Sequence, residues 1–188
     1  MLTVPAQAST LLVLGDSISA AYGMETEQGW VALLARKLES VGGYRVVNAS
    51  ISGETTSGGI SRLPALLERT KPDLVLIELG ANDALRGAPL AAIERNLERL
   101  VRQVQQRGAK VLLLGMRIPP NYGPRYSEGF AALYPRLGAK LTVATTGFLL
   151  QGVAGDSALM QADGLHPRAA AQAQILANVW PDLEPLLQ

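Results

Sequence analysis

Short apolar runs recur at intervals of about 30 residues and restrict this chain to a few folds. The first run, residues 11–14, is Leu-Leu-Val-Leu, which is too short for a helix and is apolar at every position. Such a run is typical of a strand that is buried on both faces of a parallel sheet. Similar runs predict strands at 44–48, 74–79 and 111–115, and a weaker run predicts a fifth strand at 141–144.

Segments with helical spacing of apolar residues separate these strands. They predict helices at 30–41, 60–67, 90–104, 126–141 and 168–179. We expect the fourth of these helices to kink at Pro135 and the last to fray or break at Pro181. Strands and helices that alternate in this way form βαβ units, so the chain is predicted to be an α/β protein with one doubly wound parallel sheet.

The composition narrows the possible functions. A chain of 188 residues suggests one domain, assigned here to residues 9–188, that is large enough for a substantial core. The net charge is +1 without a dense basic run, which argues against a nucleic acid partner. No apolar stretch approaches the roughly 18 residues of a membrane span, so no integral membrane segment is expected. There is no cysteine and only one histidine, so no metal site is expected either.

Residues 1–8 differ in character from the rest of the chain. They end in Ala6-Gln7-Ala8, the small-x-small pattern that precedes a signal-peptidase cut. We interpret residues 1–8 as the remnant of a secretory signal and expect the mature domain to begin near Ser9. A periplasmic location follows, with a secreted or cytoplasmic location as the alternatives. If the segment is instead native, it is expected to be a disordered N-terminus.

Four polar residues and one glycine follow the ends of predicted strands. Ser17 follows the first strand, Gly53 lies in the loop after the second, and Asn82 follows the third. Asp163 and His166 lie in the loop after the fifth strand. In a parallel sheet the carboxyl ends of the strands open at one edge, where ligands bind. Each residue alone fits an ordinary turn, but together they predict one site.

The same residue types suit acyl transfer. Ser17 offers a hydroxyl nucleophile, which needs a base beside it. His166 is the only imidazole in the chain, and Asp163, three residues earlier, can hold the other ring N–H. The side-chain amide of Asn82 and the backbone N–H groups of Gly53 and Ser17 can form an oxyanion hole. The prediction is therefore a serine hydrolase.

The segments that carry these residues resemble the four sequence blocks of the SGNH (GDSL-type) hydrolases. The blocks are Gly-Asp-Ser-Ile at 15–18, Gly53, Gly-Ala-Asn-Asp at 80–83 and Asp-Gly-Leu-His at 163–166. Ile18 departs from the leucine of the family motif. Residues 80–87 and 120–123 are most similar to the periplasmic thioesterase I, lysophospholipase and arylesterase group of Gram-negative bacteria.

This resemblance implies a function for each matched position. Ser17 would be the nucleophile, and Asp163 and His166 would complete the triad. Gly53 and Asn82 would join Ser17 in the oxyanion hole. The implied fold is a flavodoxin-like three-layer α/β/α arrangement with a five-stranded parallel sheet. No cofactor is implied, and the partners would be small acyl esters or thioesters, including aryl esters, acyl-CoA and lysophospholipids.

The substrate groove is predicted on the same basis. The loop after Asn82, residues 83–89, would move when substrate binds. An apolar groove for the acyl chain is expected beside it. The candidate lining residues are Leu85, Ile118, Pro119, Tyr122 and Leu165. We expect the protein to act as a monomer.

Other interpretations remain open at this point. A carbohydrate O-acetylesterase uses the same triad with a small polar acyl pocket. A flavodoxin-like binding module would hold flavin or phosphate at the strand ends, although the Asp16 carboxylate disfavours phosphate there. A second Gly-Asp-Ser, at 155–157, follows no apolar strand, so we do not interpret Ser157 as the nucleophile.

Overall fold

The computed structural model describes residues 9–187 and contains one five-stranded sheet. In chain order the strands are β1 (Ser9–Gly15), β2 (Tyr44–Asn48), β3 (Leu74–Glu78), β4 (Lys110–Gly115) and β5 (Ala144–Phe148). Across the sheet the order is β2-β1-β3-β4-β5, and every neighbouring pair is parallel. This order is that of flavodoxin-like sheets and reverses direction between β1 and β3, which opens a crevice at the carboxyl ends of those strands. The predicted fold class is confirmed.

Seven α-helices are found in residues 9–187 and cover both sides of the sheet. They are α1 (Trp30–Val41), α2 (Thr56–Thr70), α3 (Ala81–Leu85), α4 (Leu90–Gln105), α5 (Pro124–Ala131), α6 (Leu133–Leu141) and α7 (Gln172–Leu183). Helix α1 packs against α7 on one side, and α4 packs against α2 and α6 on the other. In this part of the chain, no helix combines the length and the apolar character that a membrane span requires. The proposed signal remnant, residues 1–8, lies outside the described residues.

The core follows the predicted patterns. All five residues of β3 are buried, as are residues 11–14 of β1, because helices cover both faces of the sheet. Helix α4 turns its apolar stripe to the sheet. The buried stripe residues are Ile93, Leu97, Leu100, Val101 and Val104.

The prediction of a strand at 141–144 is wrong. Leu141 ends α6, and Thr142 adopts a left-handed conformation with a φ of 54° that ends the helix. The fifth strand begins at Ala144 and contains Thr145, Thr146 and Gly147, so its sequence carries little apolar signal. It lies at the edge of the sheet and pairs only with β4, so it has less need of apolar residues on both faces.

Two helix boundaries also differ from prediction. The expected single helix at 126–141 is two helices, α5 and α6, and Pro135 lies in the first turn of α6, where its missing N–H costs little. Helix α7 does not break at Pro181 but continues to Leu183, whose side chain is buried.

Helix α2 begins at Thr56, before the predicted start at residue 60. The hydroxyl of Thr55 accepts a hydrogen bond from Gly58 N at 3.1 Å and so caps the helix.

Candidate active site

Ser17 lies in a tight turn at the carboxyl end of β1. Ala20 N donates to Asp16 O, and Tyr22 N donates to Ser17 O at 3.1 Å, so the chain coils immediately after the strand. The Asp16 carboxylate accepts from Ile18 N at 3.0 Å and braces this turn. The Ser17 side chain is nearly buried yet lines a cavity, so it is both held in place and accessible to a small ligand.

Gly15 precedes this turn. Its φ is not positive, so the turn does not use the conformational freedom of glycine at this position. The space is what requires glycine, since a Cβ at this position would lie 2.7 Å from Glu78 Oε2. Glu78 ends β3 and is completely buried, and its position in an apolar strand gave no signal of this contact.

Ser17, His166 and Asp163 form a continuous row of hydrogen bonds. The Nε2 atom of His166 lies 2.9 Å from Ser17 Oγ. The Nδ1 atom lies 2.6 Å from Asp163 Oδ2. In this arrangement Nδ1 carries the proton and donates to the carboxylate, which leaves Nε2 free to accept from the serine hydroxyl.

The loop that carries His166 is held by backbone pairing. Met160 and Pro167 form an antiparallel bridge, and Gln161 N donates to His166 O at 2.7 Å. The ring of Tyr22 packs against the imidazole with a centroid distance of 4.4 Å. The sequence analysis missed Tyr22, because nothing in its local pattern distinguishes it from any tyrosine in a loop.

The environment of Asp163 favours its charged form. Its hydrogen bond with the His166 ring contributes most, and the backbone N–H groups of His166 and Leu165 add to it, so the pKa of Asp163 falls from 3.8 to about 2. Asp163 is therefore ionised at neutral pH and can stabilise an imidazolium ion.

Asn82 and Asp16 form a second polar pair beside Ser17. Asn82 Nδ2 donates one hydrogen to Asp16 Oδ2 at 2.9 Å, which also fixes the orientation of the amide. No side chain or carbonyl within residues 9–187 accepts the second hydrogen. Asn82 also lines the cavity in front of Ser17, so this second N–H is available to a ligand.

The backbone N–H of Ser17 likewise has no protein acceptor within the described part of the chain, and the same holds for Gly53. Gly53 adopts a φ of 78°, which favours glycine, and its carbonyl accepts from Arg86 Nη2 at 3.2 Å. Gly53 does not line the cavity that contains Ser17 and Asn82. The N–H of Gly53 as an oxyanion donor stays a prediction.

A cavity of about 130 Å³ in front of Ser17 adjoins a groove of about 680 Å³. Ile118, Pro119 and Leu165 line both spaces, and Leu85 lines the smaller one. Tyr122 lines neither space, and its hydroxyl instead donates to Leu85 O at 3.0 Å. Four of the five candidate groove residues thus lie at the cavity, and Tyr122 supports one of them.

Ser157, in the second Gly-Asp-Ser, lies in an exposed turn in which the Asp156 carboxylate accepts from Ala158 N. Because the single imidazole is bonded to Ser17, no histidine is available to Ser157. Across residues 9–187 no three metal-binding side chains cluster.

Comparison with known proteins agrees with this geometry. Residues 13–174 match the GDSL-like Lipase/Acylhydrolase family. The chain is 56% identical over 188 residues to "Esterase TesA" of Pseudomonas aeruginosa, covering 100% of this chain and 94% of that protein. It is 44% identical over 182 residues to "Thioesterase 1/protease 1/lysophospholipase L1" of Escherichia coli K12, with coverages of 97% and 86%.

A solved structure shows the same fold. The psychrotrophic esterase EstA from Pseudoalteromonas sp., in a structure inhibited by monoethylphosphonate, superposes with a TM-score of 0.90 at 44% identity, covering 95% of this chain and 98% of that one. The family match spans most of the chain, and the sheet order and polar row are those expected from the sequence blocks. The chain belongs to the GDSL-like lipase/acylhydrolase (SGNH) family.

Proposed function

We propose that this protein is a serine esterase and thioesterase that hydrolyses acyl esters and thioesters. The observation that carries the proposal is the continuous hydrogen-bonded row from Ser17 through His166 to Asp163. The row ends at a hydroxyl that opens into a cavity with apolar walls. This is the arrangement that activates a serine for attack on a carbonyl carbon.

In the first half of the reaction Ser17 Oγ attacks the carbonyl carbon and its proton passes to His166 Nε2. The carbonyl oxygen becomes an oxyanion that Asn82 Nδ2 and the N–H groups of Ser17 and Gly53 stabilise. As the intermediate collapses, the imidazolium gives its proton to the leaving alcohol or thiol, and the acyl group remains on Ser17. Asp163 stays ionised throughout and stabilises the imidazolium.

Water completes the second half. It gives a proton to His166 Nε2 as its oxygen attacks the acyl carbon, and the same oxyanion donors act again. The acid leaves when the bond to Ser17 Oγ breaks and the serine recovers the proton from the imidazolium. The products are a carboxylic acid and the alcohol or thiol released earlier, and no other reactant is needed.

The groove indicates the kind of acyl group. Beyond Ser17 the walls include Ile118, Leu150, Phe148 and Met160, so a hydrocarbon chain can leave water there. We assign the acyl chain to this groove. Aryl esters, acyl-CoA and lysophospholipids are the proposed substrates, and the similar proteins are named as an esterase and as a thioesterase and lysophospholipase. A carbohydrate O-acetylesterase would need a smaller polar acyl pocket, which these side chains do not offer.

The periplasm is the proposed location. Its support is the small-x-small pattern at Ala6-Gln7-Ala8 in a leader-like segment. N-terminal sequencing of the protein from its native host tests this proposal. A periplasmic chain that begins near Ser9 supports it, and a cytoplasmic chain that retains residues 1–8 contradicts it.

Labelling with a fluorophosphonate probe, followed by peptide mapping, tests the proposed chemistry. A phosphonate inhibits the similar esterase EstA, so this class of probe is appropriate. We expect one adduct, on Ser17, that is absent in Ser17→Ala and retained in the matched control Ser157→Ala. His166→Ala should also lose the acylation burst, because no second imidazole exists. An adduct on Ser157, or none, would favour a binding module instead.

Acetyl and octanoyl esters of one leaving group test the assignment of the groove. Octanoyl esters should give the higher kcat/KM, because only they are long enough to extend from the cavity into the larger apolar groove. A preference for acetyl esters would favour the O-acetylesterase alternative.

A further inference from the structure

Beneath the site lies a buried carboxyl group that the proposed mechanism does not use. Glu78 Oε2 accepts two hydrogen bonds, from Asp16 N at 3.0 Å and from Ser19 Oγ at 2.8 Å. Glu78 Oε1 is equally buried and accepts a hydrogen bond from no donor in residues 9–187. An ionised carboxylate would leave this oxygen without compensation, whereas a protonated one turns it into a donor.

The neighbouring carboxyl group has the opposite arrangement. Asp16 Oδ1 accepts from Ile18 N at 3.0 Å, and Asp16 Oδ2 accepts from Asn82 Nδ2 at 2.9 Å. Both Asp16 oxygens therefore act as acceptors, which suits the charged form. Glu78 has donors at one oxygen only, which leaves Oε1 as the oxygen of the pair that is free to carry a proton. The Glu78 and Asp16 side chains lie within hydrogen-bonding reach of each other.

The electrostatics agree with this placement. Burial raises the pKa of Glu78 well above its ordinary value, and the Asp16 charge raises it further. Burial also raises the pKa of Asp16, but its hydrogen bonds, that from Ile18 N first, oppose this rise. Two further ionisable groups interact with the pair, His166 with Asp16 and Tyr134 on α6 with both carboxyl groups, and Asp83 interacts with Tyr134. Two carboxyl groups in one buried site do not both ionise at neutral pH.

We propose that Glu78 is a positioning residue for the oxyanion hole, acting as a neutral acid that donates from Oε1 to the Asp16 carboxylate. Asp16 in turn holds one hydrogen of the Asn82 amide, so the other stays aimed at the developing oxyanion. This inference rests on the proposed function of Asn82. With the proton on Oε1, a hydrogen-bonded chain would run from Glu78 through Asp16 to Asn82.

An alternative is that Glu78 only braces the turn after β1 through Oε2. The two roles differ in the protonation state of Glu78 and in whether its effect on turnover depends on Asn82, while the substitutions show how much either interaction matters. Glutamine keeps a carbonyl oxygen for Asp16 N and Ser19 Oγ and offers an N–H in place of the Oε1 hydroxyl. Methionine fills similar space and provides neither interaction.

Infrared difference spectra of wild type against Glu78→Gln at neutral pH give the first test. We expect a carboxylic acid C=O band in the wild type that the variant lacks. This readout does not depend on activity, and glutamine preserves the buried interactions. If the difference spectrum shows only a carboxylate band, Glu78 is ionised and the inference is overturned.

Kinetics give the second test. Glu78→Met should lower kcat by about 10- to 100-fold with little change in KM, as expected when an oxyanion donor is misaligned. Glutamine should restore most of the loss. In an Asn82→Ala background the same Met substitution should cause almost no further loss, because Glu78 acts through Asn82. Losses that multiply, or a Gln variant as impaired as the Met variant, would overturn the inference.

The outcomes also separate this inference from the proposed function. Wild-type protein that reacts with fluorophosphonate at Ser17 and hydrolyses esters supports the proposed function whatever the Glu78 variants do. Wild-type protein that does neither contradicts the proposed function, while the infrared test of the Glu78 proton stands independently.

Discussion

At the residue scale, the two hydrogens of the Asn82 amide have different roles: one binds Asp16 and the other is available to a ligand. One hydrogen is donated to Asp16 Oδ2, and the other has no acceptor among residues 9–187. A donor that is already anchored does not have to reorganise as charge develops on the substrate oxygen. Such a donor therefore acts mainly in the transition state and only weakly in substrate binding.

Removing the amide should consequently lower kcat with little effect on KM. We expect Asn82→Ala to lower kcat by about 10²–10³-fold, the loss seen when one oxyanion donor is removed. Steady-state kinetics on a soluble aryl ester measure both kcat and KM of the variant. Gln105→Ala is the control, because that amide donates to Leu141 O on α6, away from the cavity. Unchanged turnover in Asn82→Ala would remove this residue from the mechanism.

The sequence predicted which polar residues the structure brings together, but it did not predict the residues that support them. Ser17 and His166 were predictable because they follow strand ends and because the chain has a single histidine. Glu78 was not, since it ends a buried apolar strand and its interactions come from Asp16 and Ser19, some 60 residues away along the chain. Tyr22 was missed for the same reason, as only the tertiary structure brings it to the imidazole.

At the element scale, Asp83 on α3 joins the loops that follow β2 and β3. Its carboxylate accepts from Thr56 N at 2.9 Å and from Thr56 Oγ1 at 2.7 Å. It therefore serves the first turn of α2, where backbone N–H groups lack helical partners and negative charge is favourable. The link holds α2, whose preceding loop contains Gly53, against α3, which contains Asn82.

We expect Asp83→Ala to lower the free energy of unfolding by about 1.5–3 kcal/mol, the range for a hydrogen-bonded charged group. The group is almost buried, so solvent cannot replace the lost acceptor. Urea unfolding measures the change. Asp156→Ala is the matched control, since that exposed carboxylate also accepts a backbone N–H yet should change stability by less than about 1 kcal/mol. Equal losses in both variants would contradict the capping role.

The segment 83–89 illustrates what the sequence could not predict about an element. The short helix α3 occupies its first part, and two tyrosines hold the remainder, with Tyr122 Oη donating to Leu85 O and Tyr126 Oη donating to Ala88 O at 2.5 Å. A five-residue helix carries almost no periodic signal. Movement of this segment on substrate binding stays a prediction.

At the scale of the whole molecule, the large apolar side chains that remain exposed share one face. In the part of the chain that the structure describes they are Tyr22, Ile51, Tyr122 and Leu165. All four lie in loops that follow strand carboxyl ends, around the mouth of the candidate site. Elsewhere the described surface has no large exposed apolar side chain, so nothing there suggests a permanent apolar interface.

We therefore expect a monomer in solution. Size-exclusion chromatography with light scattering should give a mass near 19.9 kDa that does not change with concentration. A dimer would have to bury apolar residues at the mouth of the site and should then lose activity as concentration rises. A stable dimer with full activity would contradict the expectation.

The free energy of unfolding of the whole molecule depends on pH through two carboxyl groups, Asp163 and Glu78, which act in opposite directions. The pKa of Asp163 is lowered to about 2, so its contribution is present above its ordinary value of 3.8 and is lost as pH falls toward 2. Its side chain is 40% exposed, so screening by solvent keeps this contribution small. The pKa of Glu78 is raised, so its contribution is present below the ordinary value of 4.5 and is lost at higher pH.

The Glu78 dependence can be isolated by comparing wild type with Glu78→Gln. Above about pH 4.5 the unfolded wild-type chain releases a proton that the folded protein keeps, so unfolding becomes easier as pH rises. Glutamine does not titrate, so the stability of wild type relative to the variant should decline steadily as pH rises above about 5. Parallel urea titrations across this range measure the difference, with Ser17→Ala as a control that should follow the wild-type slope. A difference that is constant with pH would show that Glu78 is ionised in the folded protein, and the buried charge would then need a donor at Oε1 that residues 9–187 do not provide.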